Sequence, residues 1–232
     1  MRKTFTVVIA ILLLLAAFSQ LIIPGLVQQT MATRIKDATQ AESVSVKVDT
    51  VPGAMLLAGQ LDKVNIEAHK AVIGQIRVEK LTLLGENVRC DMSALDSRDG
   101  SAVQSADKLE LTGIITQEAL QELLVRKLEK LDNIQTTMDR EKLTATGEFK
   151  LLGRTAQVNL EGIVFAENGG VYFHMTHLDI RNAVLGKAVI GNFFGDILLF
   201  DLQSMPVKAE VDDIEQAEGQ VIIHASQHRS EI

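Results

Sequence analysis

Two histidines three residues apart, His174 and His177 in "HMTH", have the spacing in this chain most like a metal pair. In a strand, residues i and i+3 point to opposite faces, so the two imidazoles are not expected to share an ion. The chain has five His and one Cys, too few to supply a fuller ligand set, so neither a metal nor a cofactor is expected. Asp196 and Asp201 lie five apart and read as a solvated edge and a helix-end cap. Asp99, Asp107 and Glu110 stand in polar stretches with no nucleophile or base in register. There is no Gly-x-Ser-x-Gly elbow and no phosphate loop, since the glycines fall at turns. Cys90 cannot form a disulfide within the chain and reads as a small buried hydrophobe. The residues give no catalytic set, and the chain is read as a non-enzyme.

The chemistry that remains is apolar burial. The chain holds eight Phe, one Tyr and no Trp, yet Phe193, Phe194 and Phe200 fall within eight residues of "GNFFGDILLFDLQSMP". Read as a helix over 187–200, Ile190, Phe193, Phe194, Ile197 and Leu198 share one face. A second apolar stripe runs through Leu120, Leu124 and Leu128. The strands "VNLEGIVFA" (158–166) and "GVYFHM" (170–175) carry apolar bulk on both parities, Phe165 and Phe173 included. Strands apolar on both faces need two apolar neighbours. Either the helices complete a dry core, or the sheet curls and leaves a slot lined by these residues.

The elements that must position them are mostly strands. "SVSVKVDT" (43–50) alternates strictly, and 61–92 is strand-like throughout, with "LGEN" (84–87) as a turn. Within it, the change from Ile76 and Val78 to Leu81 and Leu83 predicts a bulge near Glu79–Lys80 or a strand apolar on both faces. Further strands are expected at about 143–150, 155–166, 171–182, 207–214 and 220–226. "DREK" (139–142), "LLGR" (151–154), "ENGG" (167–170) and "EQAEG" (215–219) mark turns. Amphipathic helices are expected at 27–41, 117–131 and 187–200, the second capped by Thr116. "VPGAMLLAGQ" (51–60) adds one or two helical turns. The fold class is therefore α+β and strand-rich, about two to one: a long, strongly curved antiparallel sheet, or half-barrel, packed with two to three amphipathic helices and an apolar groove between them.

At the N-terminus "MRK" precedes 24 uncharged residues (4–27), the pattern of a signal peptide or a membrane anchor. Ala17 and Ser19 suit a cut before Gln20, while the run is also long enough to span a bilayer. In either case the expected location is the cell envelope, on the extracytoplasmic side of the inner membrane. Residues 28–226 form the expected domain and 227–232 a disordered tail. Without residues 1–27 the chain has 21 basic and 30 acidic residues, a balance of −9. That excess of acid argues against nucleic acid and against electrostatic docking on anionic lipid.

The order of elements resembles the LmeA-like family of bacterial envelope phospholipid-binding proteins. The resemblance is carried by the leader, by Pro52 and Gly59 with "VNI" (64–66), and by "LTGIITQEALQELL" (111–124). It continues through "LEGIVFAENGGVYFHM" (160–175) and "FFGDILLFDLQSMPVKAEV" (193–211), covering about residues 25–226. It implies a curved sheet with helices, similar to tubular lipid-binding folds, holding the acyl chains of a phospholipid or other long-chain lipid in an apolar groove. A carrier role in envelope biogenesis, with the membrane met through the N-terminal segment, is the functional expectation. The alternative is a membrane-anchored interaction module with a solid core and no lipid cargo.

Overall fold

The computed structural model describes residue 20 and residues 22–91, 103–129, 131–151, 154–181, 196–202 and 209–227. In chain order the elements are α1 (Ile23–Thr39), β1 (Ser43–Asp49), a 3-10 helix (Gly53–Ala58), β2 (Gln60–Ile73), β3 (Ile76–Cys90), β4 (Val103–Ser105), β5 (Lys108–Thr116) and α2 (Gln117–Lys127). They continue with β6 (Leu131–Met138), β7 (Leu143–Leu151), β8 (Arg154–Glu167), β9 (Gly170–Arg181), β10 (Ile197–Asp201), β11 (Glu210–Ala217) and β12 (Gln220–Ser226). Of the described residues, 64% are strand and 21% helix, so among them strand outweighs helix more heavily than the sequence suggested. The expected strongly curled antiparallel half-barrel is what forms. Its strands divide into a seven-stranded sheet, ordered β1-β2-β3-β5-β12-β11 with β4 beside β3, and a five-stranded sheet ordered β10-β9-β8-β7-β6.

The curl follows from how β2 and β3 depart from alternation. Their register is constant from Gln60↔Arg89 to Ile73↔Ile76, yet the inward residues change parity twice. Ala68 and Ala71 both face inward opposite Val78 and Leu81, and Lys70 between them takes φ 52°. Val78 and Leu81 both lie 3.9 Å from where a Cβ of Gly113 would stand, which puts them on one face. Leu61 and Val64, opposite Gly85 and Val88, repeat the device with Asn87 at φ 49°. One extra residue in each strand preserves pairing while sharpening the twist. The sequence's parity switch near Glu79–Lys80 is thus a matched irregularity in both strands. "LGEN" is not a turn: Gly85 and Asn87 serve the second irregularity inside β3, and the chain reverses instead at Gly74 and Gln75. A side chain at 85 would meet Val88 at 2.6 Å and Val64 at 2.7 Å.

Two large apolar clusters, and a small one of Ala41, Ala68 and Ala71, cover the inner face of the seven-stranded sheet. Under α1, Val27, Met31, Leu56, Val48 and Val64 pack together. Under α2, Leu120, Leu123 and Leu124 pack with Ile76, Leu111 and Val221 and with Leu143, Leu160 and Phe173 of the second sheet. Thr116 caps α2 by accepting from the Ala119 amide at 3.3 Å, as expected from the sequence. The helix ends at Lys127, not 131, and Leu131 already opens β6. Arg126 donates to the Gln75 carbonyl at the β2–β3 turn. Gln117 and Gln121 accept from the amides of Met138 (2.9 Å) and Thr136 (3.2 Å), so α2 also covers the free edge of β6.

The expected helix at 187–200 is not what its described part forms, because Ile197–Asp201 is strand β10 beside β9. Ladder pairing with β9 overrides the helical spacing there, and residues 182–195 lie outside the described residues.

Gly162 is closed on the side where a side chain would go: its Cβ would meet the Phe173 ring at 2.5 Å and the His174 carbonyl. Gly162→Ala should therefore cost about 1–3 kcal/mol in urea unfolding. Gly113→Ala, whose Cβ would meet Val78 and Leu81 only at an ordinary 3.9 Å, should be neutral or stabilising by up to about 1 kcal/mol.

Candidate functional site

The polar groups of the fold assemble no obvious reaction centre. A register shift between β8 and β9 falls between Glu161↔His177 and Gly162↔Met175. This bulge restores His174 and His177 to the same outer face, which overturns the opposite-face expectation from simple strand parity. His174 Nδ1 lies 2.7 Å from an Asp196 carboxylate oxygen, both half exposed. Among the described residues, no three His, Cys, Asp or Glu side chains come together as metal ligands. Lys70 beside Glu42 at 2.7 Å holds that carboxyl below its usual range. Burial pushes the Cys90 thiol up, as suits its half-buried place beside the α1 cluster.

Two surface depressions are both polar. One of about 490 Å³ on the five-stranded sheet is lined by Gln135, Gln157, Asn159, Asp179 and Arg181 among others. The other, about 740 Å³, lies by Gln60, Asp62, Arg89, Ser105 and Asp107. Neither has the lining an alkyl chain needs.

The apolar residues singled out from the sequence do not share one surface. Leu120, Leu124 and Leu128 are at 0%, 0% and 7% exposure inside the core, so the α2 stripe is packing and not an open wall. Phe173 is likewise buried, with Ile197 opposite it on the inner face. Phe165 points to the other face, 5.5 Å from Tyr172 and 5.7 Å from His174 between ring centroids. Leu198, opposite Tyr172, is on that outer face too and 40% exposed. Apolar bulk on both parities of β8 and β9 therefore means a core face and an outer patch, not one slot. Ile190, Phe193 and Phe194 lie outside the described residues. Phe173→Ala should cost about 3–5 kcal/mol of stability, while Leu198→Ser should cost less than about 1 kcal/mol; chemical denaturation of the two variants distinguishes the faces.

A different set of apolar residues, not named as site residues from the sequence, lines up along the inner face. Val46, Ile66, Leu83, Leu111, Ala225 and Val211 stand side by side across six strands of the larger sheet. At a strand spacing of about 4.8 Å this row is about 24 Å long, more than the ~15 Å that one leaflet's hydrocarbon occupies. Along the row, Val46 lies under α1 and Leu111 and Ala225 belong to the α2 cluster, all three buried, whereas Ile66, Leu83 and, at the far end, Val211 are half-buried. Leu83 packs against both clusters, so it marks the gap between the two helical covers. The sequence signal was present in the inward parity of Ile66, Leu83 and Leu111. Only the register shows that these residues are neighbours.

No curated protein and no solved structure matches the chain. A family model described as LmeA-like phospholipid-binding matches residues 19–226, which takes in α1, both sheets and every residue of the apolar row. A match over that much of the chain, onto a curled sheet with an apolar inner face, decides the membership: this chain belongs to the LmeA-like phospholipid-binding family.

Proposed function

We propose that the protein holds the acyl chains of a phospholipid along the inner face of the seven-stranded sheet, on the extracytoplasmic side of the inner membrane. The observation that carries this reading is the uncharged row from Val46 to Val211, half-buried at Ile66, Leu83 and Val211. An alkyl chain leaving a bilayer loses about 0.8 kcal/mol of favourable environment per methylene exposed to water. A row of aliphatic side chains replaces that environment, so lipid moves between membrane and protein at little net cost. Such a balance suits a carrier in envelope biogenesis. Binding without catalysis fits the family's description and the scattered polar groups. The uncharged leader supports a membrane-side location, and the helices of the described residues are not long and apolar enough to cross a bilayer. Phe193 and Phe194 extend the proposal as further lining from their sequence alone.

One observation favours the interaction-module reading: the outer patch of Ile163, Phe165, Tyr172 and Leu198 offers an apolar surface on the other face. The two readings separate cleanly. Native mass spectrometry of the chain from Gln20 onward, purified without detergent, should show one added phospholipid mass, identified by extraction of the same sample. Leu83→Trp, which fills the gap, and Phe194→Asp should each reduce bound lipid at least tenfold while circular dichroism stays unchanged. A lipid-free mass that persists after incubation with liposomes would transfer the function to the outer patch.

A further inference from the structure

Four of the most exposed large apolar side chains gather at one end of the larger sheet. Ile22 is 43% exposed, Leu26 60%, Val51 80% and Leu57 65%. The Gln28 side chain donates to the Val48 carbonyl at 3.3 Å, which fixes the start of α1 against the end of β1. Val51 follows that end directly, and the 3-10 helix bearing Leu57 packs against α1 through Leu56 and Val27. Two chain segments far apart in sequence therefore present their apolar side chains together, with the α1 cluster directly behind them.

We propose that this surface docks into the face of a lipid bilayer, with Leu26, Val51 and Leu57 entering its apolar region. Three observations point to a bilayer and not to a protein partner. Both segments are uncharged, with no Asp, Glu, Lys or Arg in 4–33 or in 51–61, and the nearby Asp62 carboxylate is engaged by the Val51 amide at 3.0 Å. The uncharged run 4–19 comes just before Ile22 and Leu26 in the sequence, so a leader held in a membrane keeps this patch close to that membrane. The acid excess of the domain removes electrostatic attraction to anionic lipid, leaving apolar insertion as the means of contact. The inference rests on the lipid-binding reading in one respect. Docking here would set the inner-face row, reached along the half-buried Ala32 and Ile35 of α1, beside its source of lipid.

The test uses the full-length chain in a Cys90→Ala background, reconstituted into phosphatidylcholine vesicles that contain lipids with a doxyl quencher high on the acyl chain. An environment-sensitive fluorophore is attached at Leu57→Cys, at Lys63→Cys on the outer face nearby, or at Gln75→Cys on the far turn of the β2–β3 hairpin. Quenching at position 57 is expected to exceed that at 63 and 75 severalfold and to be unchanged in 1 M salt, since screening does not act on apolar insertion. Quenching at 57 no greater than at 75 overturns the proposal. Energy transfer between differently labelled copies at 57 without quenching overturns it in favour of a second copy of the chain. The same labelled chains, freed of detergent, are assayed for retained phospholipid. Retained lipid without quenching at 57 sinks the docking surface alone, whereas quenching without retained lipid sinks the inner-face reading and leaves docking standing.

Discussion

A strand of fourteen or fifteen residues that twists around a half-barrel cannot keep strict two-residue alternation and also keep its apolar side chains on the inner face. The matched extra residues of β2 and β3, at Lys70 opposite Glu79 and at Asp62 opposite Asn87, resolve this conflict. Each resets the parity of both strands at once, so hydrogen bonding continues and the inward rows stay apolar. Further register shifts in β6–β7, β8–β9, β9–β10 and β11–β12 act in one strand at a time. The rest of the molecule depends on this constraint, because only a continuous inner face gives the helices and the second sheet something to cover.

Covering that face leaves edges and gaps, and the fold treats them differently. The edge strand β6 is capped by the side-chain amides of Gln117 and Gln121, which occupy main-chain donors that would otherwise invite another strand. The turn between β11 and β12 is held between the start of α2 and the end of β6, since Gly219 bonds both Gln117 and Met138. Among the described residues, the middle of the inner face is covered only in part. Between the α1 and α2 clusters, Ile66 and Leu83 stay half-buried, although the same side chains in an ordinary core would be sealed. The half-buried apolar floor suits the proposed purpose of receiving acyl chains.

The distribution of charge is consistent with that purpose. The ion pairs lie at the surface, as with Lys142 and Glu161 at 2.9 Å or Lys150 and Asp132 at 2.9 Å, where such pairs contribute little to stability. Among the described residues the inner face carries none of them, so stability there comes from aliphatic packing and sheet pairing.

Much of this was legible in the linear chain because it depends on near neighbours. The alternation of Val44, Val46 and Val48, the Thr116 cap, the turn at Asn168 and Gly169, and the short helical segment closed by Gly59 are local, and each forms as its residues require. The order of these elements was also enough to indicate the family. What the chain alone could not decide is which way a side chain points once strands pair with distant partners. Leu120 and Leu124 have the same stripe whether they face a groove or a core, and the arrival of the second sheet makes them core. Phe165 and Phe173 differ by an even number of positions in different strands, and the β8–β9 register alone sends one outward and the other inward. Ile197 and Leu198 have helical spacing, yet β9 recruits them into a ladder. Register is a non-local quantity, set by which strands meet and where a bulge falls, so the apolar row from Val46 to Val211 exists only in the folded sheet.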